Sequence, residues 1–249
     1  MGNKILINNT INPFNKTIEI EGDKSLSIRW ALLASQAIGK SKSFNLLKSE
    51  DVLNTLSCLK KLGVKIRNLK NGCEITGVGL NGFNYKSNKI INAGNSGTLA
   101  RLILGLLVHS KCKIKLIGDK SLSKRDFLRI TEPLKKFGAK FKTNSGKLPI
   151  TIEGTQNPNV IKYHETKGSA QCKSAVMLAA LNTKGETIIN AKKSRNHSEL
   201  LFQYLKLPIK ISKKKKIDII KIKGKNKIKP LNYKIPSDIS SSAFFIVLT

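Results

Sequence analysis

A repeat with a period of about seventy residues constrains this chain more than any other feature. A turn of small and polar residues followed by an apolar helix pattern appears as GDKSLSIRWALLASQAIG around Ser25. It returns as GNSGTLARLILGLLVH around Ser96, as KGSAQCKSAVMLAALN around Ser169 and as PSDISSSAFFIVLT around Ser240. The offsets are 71, 73 and 71 residues. Self-similarity at a fixed period marks a fold built by repeating one supersecondary unit.

A second helix pattern lies between the copies, as DVLNTLSCLKKLGVKI, DFLRITEPLKKFGAKF and, more weakly, ELLFQYLKLPIKI. Leu53, Leu56, Leu59 and Leu62 keep helical spacing, and Gly63 stands where a helix C-cap belongs. Strand-like segments follow at Val64–Arg67 with Glu74–Thr76, Lys140–Lys142 with Leu148–Ile152, and Ile209–Ser212 with Ile217–Ile222. Each unit therefore reads strand, helix, strand, helix, strand, strand. The first helix of each is apolar nearly all round and should be buried, whereas the second is amphipathic and should lie outside. The expected fold class is α/β: three βαβαββ units, turned inside out, with shared helices within and sheets without. Three units occupy residues 22–235. A fourth is expected to begin at Ser240, and on that reading Phe244, Phe245, Ile246 and Val247 form the apolar face of a unit only half built at Thr249.

The formal charge of +31 raises nucleic acid as a partner. Lysines carry most of that charge and are spread over every segment among asparagines and isoleucines. The one true cluster, Lys213–Lys216, is followed by lysines that alternate with Ile217, Ile219, Ile220 and Ile222, the pattern of strands with one solvated face. At 6% aromatic content there is little for bases to stack on, so no nucleic-acid partner is expected. No membrane partner is expected either, because Arg101 interrupts the best apolar run at Leu99–Val108. Met1–Ile7 lacks the long apolar stretch of a signal peptide. The four cysteines, Cys58, Cys73, Cys112 and Cys172, show no ligand spacing and read as reduced thiols of a cytoplasmic protein, with no metal.

The chemistry should reside at the helix starts of the repeat. Pseudo-symmetric units point equivalent helix ends the same way. That would gather Lys24, Ser25 and Arg29; Asn95, Ser96, Gly97, Thr98 and Arg101; and Ser169, Ala170, Gln171 and Lys173. Helix N-termini present unpaired N–H groups and partial positive charge, which suits a small polyanion. Only six arginines occur, and Arg29, Arg101, Arg125 and Arg195 fall in these motifs, where a guanidinium grips phosphate or carboxylate bidentately. Alternatives stay open. Each serine also suits a plain N-cap. Arg101 and Lys173 also suit buried charges with structural partners. The loop Gly118–Arg125 reads equally as a second anion clamp or a solvated loop. His197 could transfer protons or simply hydrogen-bond, and Ser49, Glu50 and Asp51 read as a helix cap. Gly39-Lys40-Ser41 is not a P-loop, since Ala34 stands where the first glycine should be. No general base is evident among the acidic residues.

With these motifs in hand, the chain resembles the 5-enolpyruvylshikimate-3-phosphate synthase family. GDKSLSIRWALL, GNSGTLARLILGLL, GDKSLSKRDFLRITEPLKKFGAKF, LPITIEG, GSAQCKSAVMLAAL, SRNHSELL and PSDISSSAFF occur in that family's order across essentially the whole chain. The sister UDP-N-acetylglucosamine enolpyruvyl transferases typically carry Asn where this chain has Ser25, and so resemble it less. The resemblance implies two similar domains with substrates in the cleft between, and a cofactor-free transfer of enolpyruvyl from phosphoenolpyruvate to the 5-hydroxyl of shikimate 3-phosphate. It implies that Lys24 touches both substrates. Ser25, Arg29, Ser169, Ala170, Gln171 and Arg195 would hold shikimate 3-phosphate. Gly97 and Arg125, with Lys24 and Gln171, would face phosphoenolpyruvate, supported by Asn95, Thr98, Arg101 and Lys173. The herbicide glyphosate occupies that second side in the family, where a glycine such as Gly97 usually leaves room for it.

Family members exceed 400 residues and are usually monomeric, and their second domain supplies the carboxylate base. The resemblance thus implies that residues 1–21 and 236–249 belong to a domain otherwise absent, with Asp238 near the crossover. On that expectation the chain is inert alone or is completed by a second polypeptide.

Overall fold

The computed structural model describes residue 15 and residues 17–247. The expectations for Met1–Ile7, for most of segment 1–21 and for the last two residues lie outside the described residues. The first unit contributes α1 (Lys24–Ala34), β1 (Ile38–Phe44), α2 (Glu50–Lys61), β2 (Lys65–Leu69) and β3 (Gly72–Val78). The second runs β4 (Lys89–Asn92), α3 (Gly97–Leu107), β5 (Ile114–Ile117), α4 (Leu128–Lys135), β6 (Lys140–Asn144) and β7 (Lys147–Glu153). The third runs β8 (Lys162–Glu165), α5 (Ala170–Leu181), β9 (Gly185–Lys192), α6 (His197–Tyr204), β10 (Ile209–Lys213) and β11 (Ile217–Gly224). β12 (Tyr233–Lys234) and α7 (Ile239–Val247) follow.

Three four-stranded sheets share one order: β12-β1-β3-β2, β4-β5-β7-β6 and β8-β9-β11-β10. The first pair in each is parallel and the remaining pairs are antiparallel. The first unit departs from expectation. Its leading strand comes from beyond the third unit: β12 pairs with β1 through Ser43 and Phe44. The edge of β1 carries backbone groups that need partners, and the returning chain supplies them, including Ile235 N–H to the Phe44 carbonyl at 3.0 Å.

Helices α1, α3 and α5 form the interior, as their all-round apolar sequences require: Ile28–Ala34, Leu99–Leu107 and Cys172–Leu181 are buried throughout. Helix α2 buries only one stripe, Val52, Thr55, Leu56, Cys58 and Leu59. On β11, Ile220 and Ile222 face inward while Lys221 and Lys223 are exposed, so the lysine-rich stretch is a strand with one solvated face. Each sheet is locked to its helix by one repeated contact. Val78, Thr155 and Lys225 donate their N–H groups to the carbonyls of Ser35, Val108 and Leu181, near the C-terminal ends of α1, α3 and α5. The preceding residues are Gly77, Gly154 and Gly224, where a Cβ would lie within about 2.5 Å of a helix-end carbonyl oxygen, too close for any side chain.

Between those helix ends sits a buried polar plug. Asn182 donates to Gln36 at 3.3 Å, and His109 Nε2 lies 3.0 Å from the Ala179 carbonyl, which assigns the ring proton to Nε2. Burial holds the His109 imidazole down to about 4; the Ala179 hydrogen bond opposes this and the Lys225 charge assists it. The unfolded chain therefore binds more protons than the folded one between about pH 4 and 6.5. Stability is complete above the upper figure and falls as pH drops, by about 3 kcal/mol in all. Urea midpoints for His109→Gln and the parent should converge as pH falls through this window.

Segments 20–23 and 236–238 run side by side. Asp23 N–H donates to the Pro236 carbonyl at 2.8 Å and Asp238 N–H to the Glu21 carbonyl at 3.0 Å. Asp238 then opens α7, its carboxylate accepting the Ser240 N–H at 2.8 Å. None of α7 is buried, and Phe244 is 76% exposed. Among the described residues no helix is long and apolar enough to cross a membrane.

Candidate functional site

The N-termini of α1, α3 and α5 converge on one cavity of about 420 Å³. Lys24, Ser25 and Arg29 enter it from α1, Thr98 from α3, and Ser169, Ala170 and Gln171 from the start of α5. Arg195 and His197 close it from the segment leading into α6. The repeat places these groups together because each buried helix starts at the same end of its unit. A larger hollow of about 560 Å³ lies between Gly77–Asn81 and Lys225–Ile228. It gathers none of the motif residues and no arginine.

The caps distinguish the three serines. Ser96 and Ser169 are true N-caps, their hydroxyls accepting from Leu99 and Cys172 N–H at 3.2 and 3.3 Å. Ser25 is not a cap. Asp23 takes that place by accepting the Leu26 N–H at 2.7 Å, because the helix starts at Lys24 and Ser25 is already its second residue. The Ser25 hydroxyl is thereby left facing the cavity.

Arg29 is 6% exposed, and burial lowers its guanidinium to about 10 against the opposing pull of Asp23 and Glu199. It stays charged at neutral pH. One N–H goes to the Ser25 carbonyl at 3.0 Å and Nε–H to Ser198 at 2.8 Å. His197 is pushed below its ordinary range, by burial first and then by the charge of Arg29, so near neutral pH it is an uncharged imidazole. Lys24 is half exposed and pairs with Asp51 at 3.2 Å. Asp51 was expected only to serve the start of α2, and Ser49 there makes no side-chain cap. No sequence signal linked Asp51 to Lys24; the α1–α2 packing does.

A second cluster adjoins the first along the start of α3. Arg101 donates to Gln171 Oε1 at 2.6 Å, and Gln171 Nε2 donates to Thr98 at 3.1 Å, so the amide bridges two helix starts. Arg101 also stacks over Phe127, its guanidinium carbon 5.5 Å from the ring centroid. Loop 118–125 docks here: Asp119 N–H donates to Gly94, Asn95 donates to the Asp119 carboxylate at 2.5 Å, and Arg125 reaches Asn95 at 3.5 Å. The Leu122 N–H, aided by Asn95, holds the Asp119 carboxyl below its usual range. A Cβ on Gly97 would stand 2.9 Å from an Arg125 nitrogen and 3.3 Å from one of Arg101. Gly97, Asn95, Arg101 and Arg125 thus border the cavity without lining it.

Lys173 faces neither cluster. It is fully buried and pairs with Glu199 of α6 at 2.5 Å, so its charge is met by a protein carboxylate behind the cavity wall. Glu199 was not singled out in the sequence, where a lone Glu in a helix carries no signal. Among the described residues no group of three His, Cys, Asp or Glu is placed to hold a metal ion.

A family model described as EPSP synthase (3-phosphoshikimate 1-carboxyvinyltransferase) matches residues 8–249. A 3-phosphoshikimate 1-carboxyvinyltransferase of Vesicomyosocius okutanii subsp. Calyptogena okutanii (strain HA) is 42% identical over 241 residues, covering 95% of this chain and 54% of the relative. One of Ruthia magnifica subsp. Calyptogena magnifica is 41% identical over 237 residues, covering 95% and 53%. A solved EPSP synthase of Acinetobacter baumannii superposes with a TM-score of 0.84 at 35% identity, over 92% of this chain and 52% of that one. The chain spans about half the length of the curated relatives it matches.

Proposed function

This chain belongs to the EPSP synthase family, and we propose that it supplies the shikimate 3-phosphate-binding wall for enolpyruvyl transfer from phosphoenolpyruvate. The observation that carries this reading is the convergence of Lys24, Ser25, Arg29, Ser169, Ala170, Gln171 and Arg195 on one cavity at three helix starts. In this reading Arg29 and Arg195 take the 3-phosphate, with Ser25, Ser169 and Ala170 completing its hydrogen bonds. Gln171, held between Arg101 and Thr98, presents its amide to the ring and toward phosphoenolpyruvate. Gly97 and Arg125 form the phosphoenolpyruvate side, and Asn95, Thr98 and Arg101 support it. Lys173 supports from behind, through Glu199.

The transfer balances without a cofactor. The 5-hydroxyl adds to C2 of phosphoenolpyruvate, C3 gains a proton, and the hydroxyl proton is lost to a base. The tetrahedral adduct then breaks its C2–O bond to phosphate and loses a proton from C3. Lys24, at the mouth of the cavity, would stabilise the charge that develops on the phosphate side. Among the described residues none that lines the cavity is a carboxylate, so the base for the 5-hydroxyl is assigned outside it. The domain reading also belongs to this proposal: residues 22–235 form the binding domain, with the paired segments on either side leading out of it. The four free thiols support a cytoplasmic setting.

Calorimetric titration with shikimate 3-phosphate, followed by a phosphate-release assay with phosphoenolpyruvate, tests the reading. Uptake without release is expected of the chain alone. Failure to bind shikimate 3-phosphate would overturn the assignment, whereas release by this chain alone would place the base within it. In the shikimate 3-phosphate-loaded chain, Gly97→Ala should weaken phosphoenolpyruvate binding about tenfold by displacing Arg125, with little change in the first ligand's affinity.

A further inference from the structure

Arg29 is held from behind by the Ser198 hydroxyl, which in turn meets that of Ser174, and neither serine lines the cavity. The Arg29 Nε–H donates to Ser198 Oγ at 2.8 Å, and Ser198 Oγ lies 2.6 Å from Ser174 Oγ. Ser174 Oγ in turn donates to the Ala170 carbonyl at 2.6 Å. A serine has a single hydroxyl proton. Since that of Ser174 goes to Ala170, the Ser174–Ser198 bond must be donated by Ser198. The chain therefore has one polarity: Arg29 Nε–H to Ser198, Ser198 to Ser174, Ser174 to the first turn of α5. Ser198 and Ser174 are 3% and 1% exposed, so solvent offers no ready substitute for either bond.

We propose that Ser198, oriented by Ser174, is a positioning residue that fixes the rotation of the Arg29 guanidinium and aims its free edge into the cavity. The proposal rests on the reading that this cavity takes shikimate 3-phosphate. An arginine side chain has several rotatable bonds, and holding it in place before the ligand arrives removes that ordering cost from binding. The same chain ties Arg29 on α1 to Ala170 on α5, so two faces of the anion wall are set as one unit. With every donor committed in one direction, each bond polarises the next.

The test has a readout that needs no ligand. With arginine side chains labelled with nitrogen-15, the Arg29 Nε–H should exchange slowly in the parent and at least tenfold faster in Ser198→Ala. Ser174→Ala should give an intermediate rate, and Ser198→Thr, which keeps the oxygen, should restore slow exchange. Shikimate 3-phosphate affinity should fall about tenfold in Ser198→Ala. In an Arg29→Ala background the Ser198 change should add nothing. Unchanged exchange in Ser198→Ala, or affinity losses that add in the double variant, would overturn the proposal. If the parent itself takes up no shikimate 3-phosphate, the ligand assignment fails, and the exchange rates still decide whether Ser198 positions Arg29.

Discussion

Replacing Lys173 with methionine is expected to destabilise the chain by about 3–5 kcal/mol, because it strands the Glu199 carboxylate where water does not reach. Both partners are essentially buried, 0% and 4% exposed at the side chain, and stand 2.5 Å apart. A buried pair is costly to halve, yet often neutral to replace whole. The double variant Lys173→Met/Glu199→Leu should therefore recover most of the loss, and urea denaturation of the two singles and the double measures this directly. A loss in Lys173→Met that Glu199→Leu does not relieve would show that the methionine is simply badly packed. Because α5 and α6 carry Gln171 and His197 at their starts, the single variants should also weaken ligand binding in proportion to the unfolding they cause.

Replacing Arg29 with alanine is expected to weaken shikimate 3-phosphate binding by about a hundredfold or more. On the proposed assignment two charge-assisted hydrogen bonds to a phosphate would be lost, each worth about 1.5–3 kcal/mol. Arg29→Lys should recover little of it. An ammonium keeps the charge, but it cannot donate at once to Ser198, to the Ser25 carbonyl and to a phosphate in the guanidinium's planar geometry. Titration calorimetry on the three proteins at one salt concentration checks the order, and the unfolding midpoint separates lost binding from lost fold. Near-parent affinity in Arg29→Lys would mean that only charge matters there.

The architecture was legible because it is written three times. A helix apolar nearly all round, such as Leu99–Leu107 with its single charge at Arg101, has one stable environment, and three at matched spacing must share it. The motif residues were legible for the same reason, since helix starts at equal offsets meet at one end. Asp51 and Glu199 were not legible. Each is an ordinary helical carboxylate along the chain, and only the packing of α2 on α1 and of α6 on α5 brings one to Lys24 and the other to Lys173. The strand β12 was hidden as well, because two residues with no periodicity acquire their role only from the open edge of β1 that they meet.

The sequence by itself determined the repeat, the inside-out layering and which side chains would meet at the helix starts, since all three depend on local periodicity and residue chemistry. The tertiary structure alone decided that Ser96 and Ser169 cap their helices while Ser25 does not, that Lys24 lines the cavity while Lys173 is buried in a pair, and that Arg29 meets Ser198. Those outcomes depend on distances between elements far apart in the chain. A hydroxyl or an ammonium has no fixed role until packing settles which partner is within reach and whether water can compete for it.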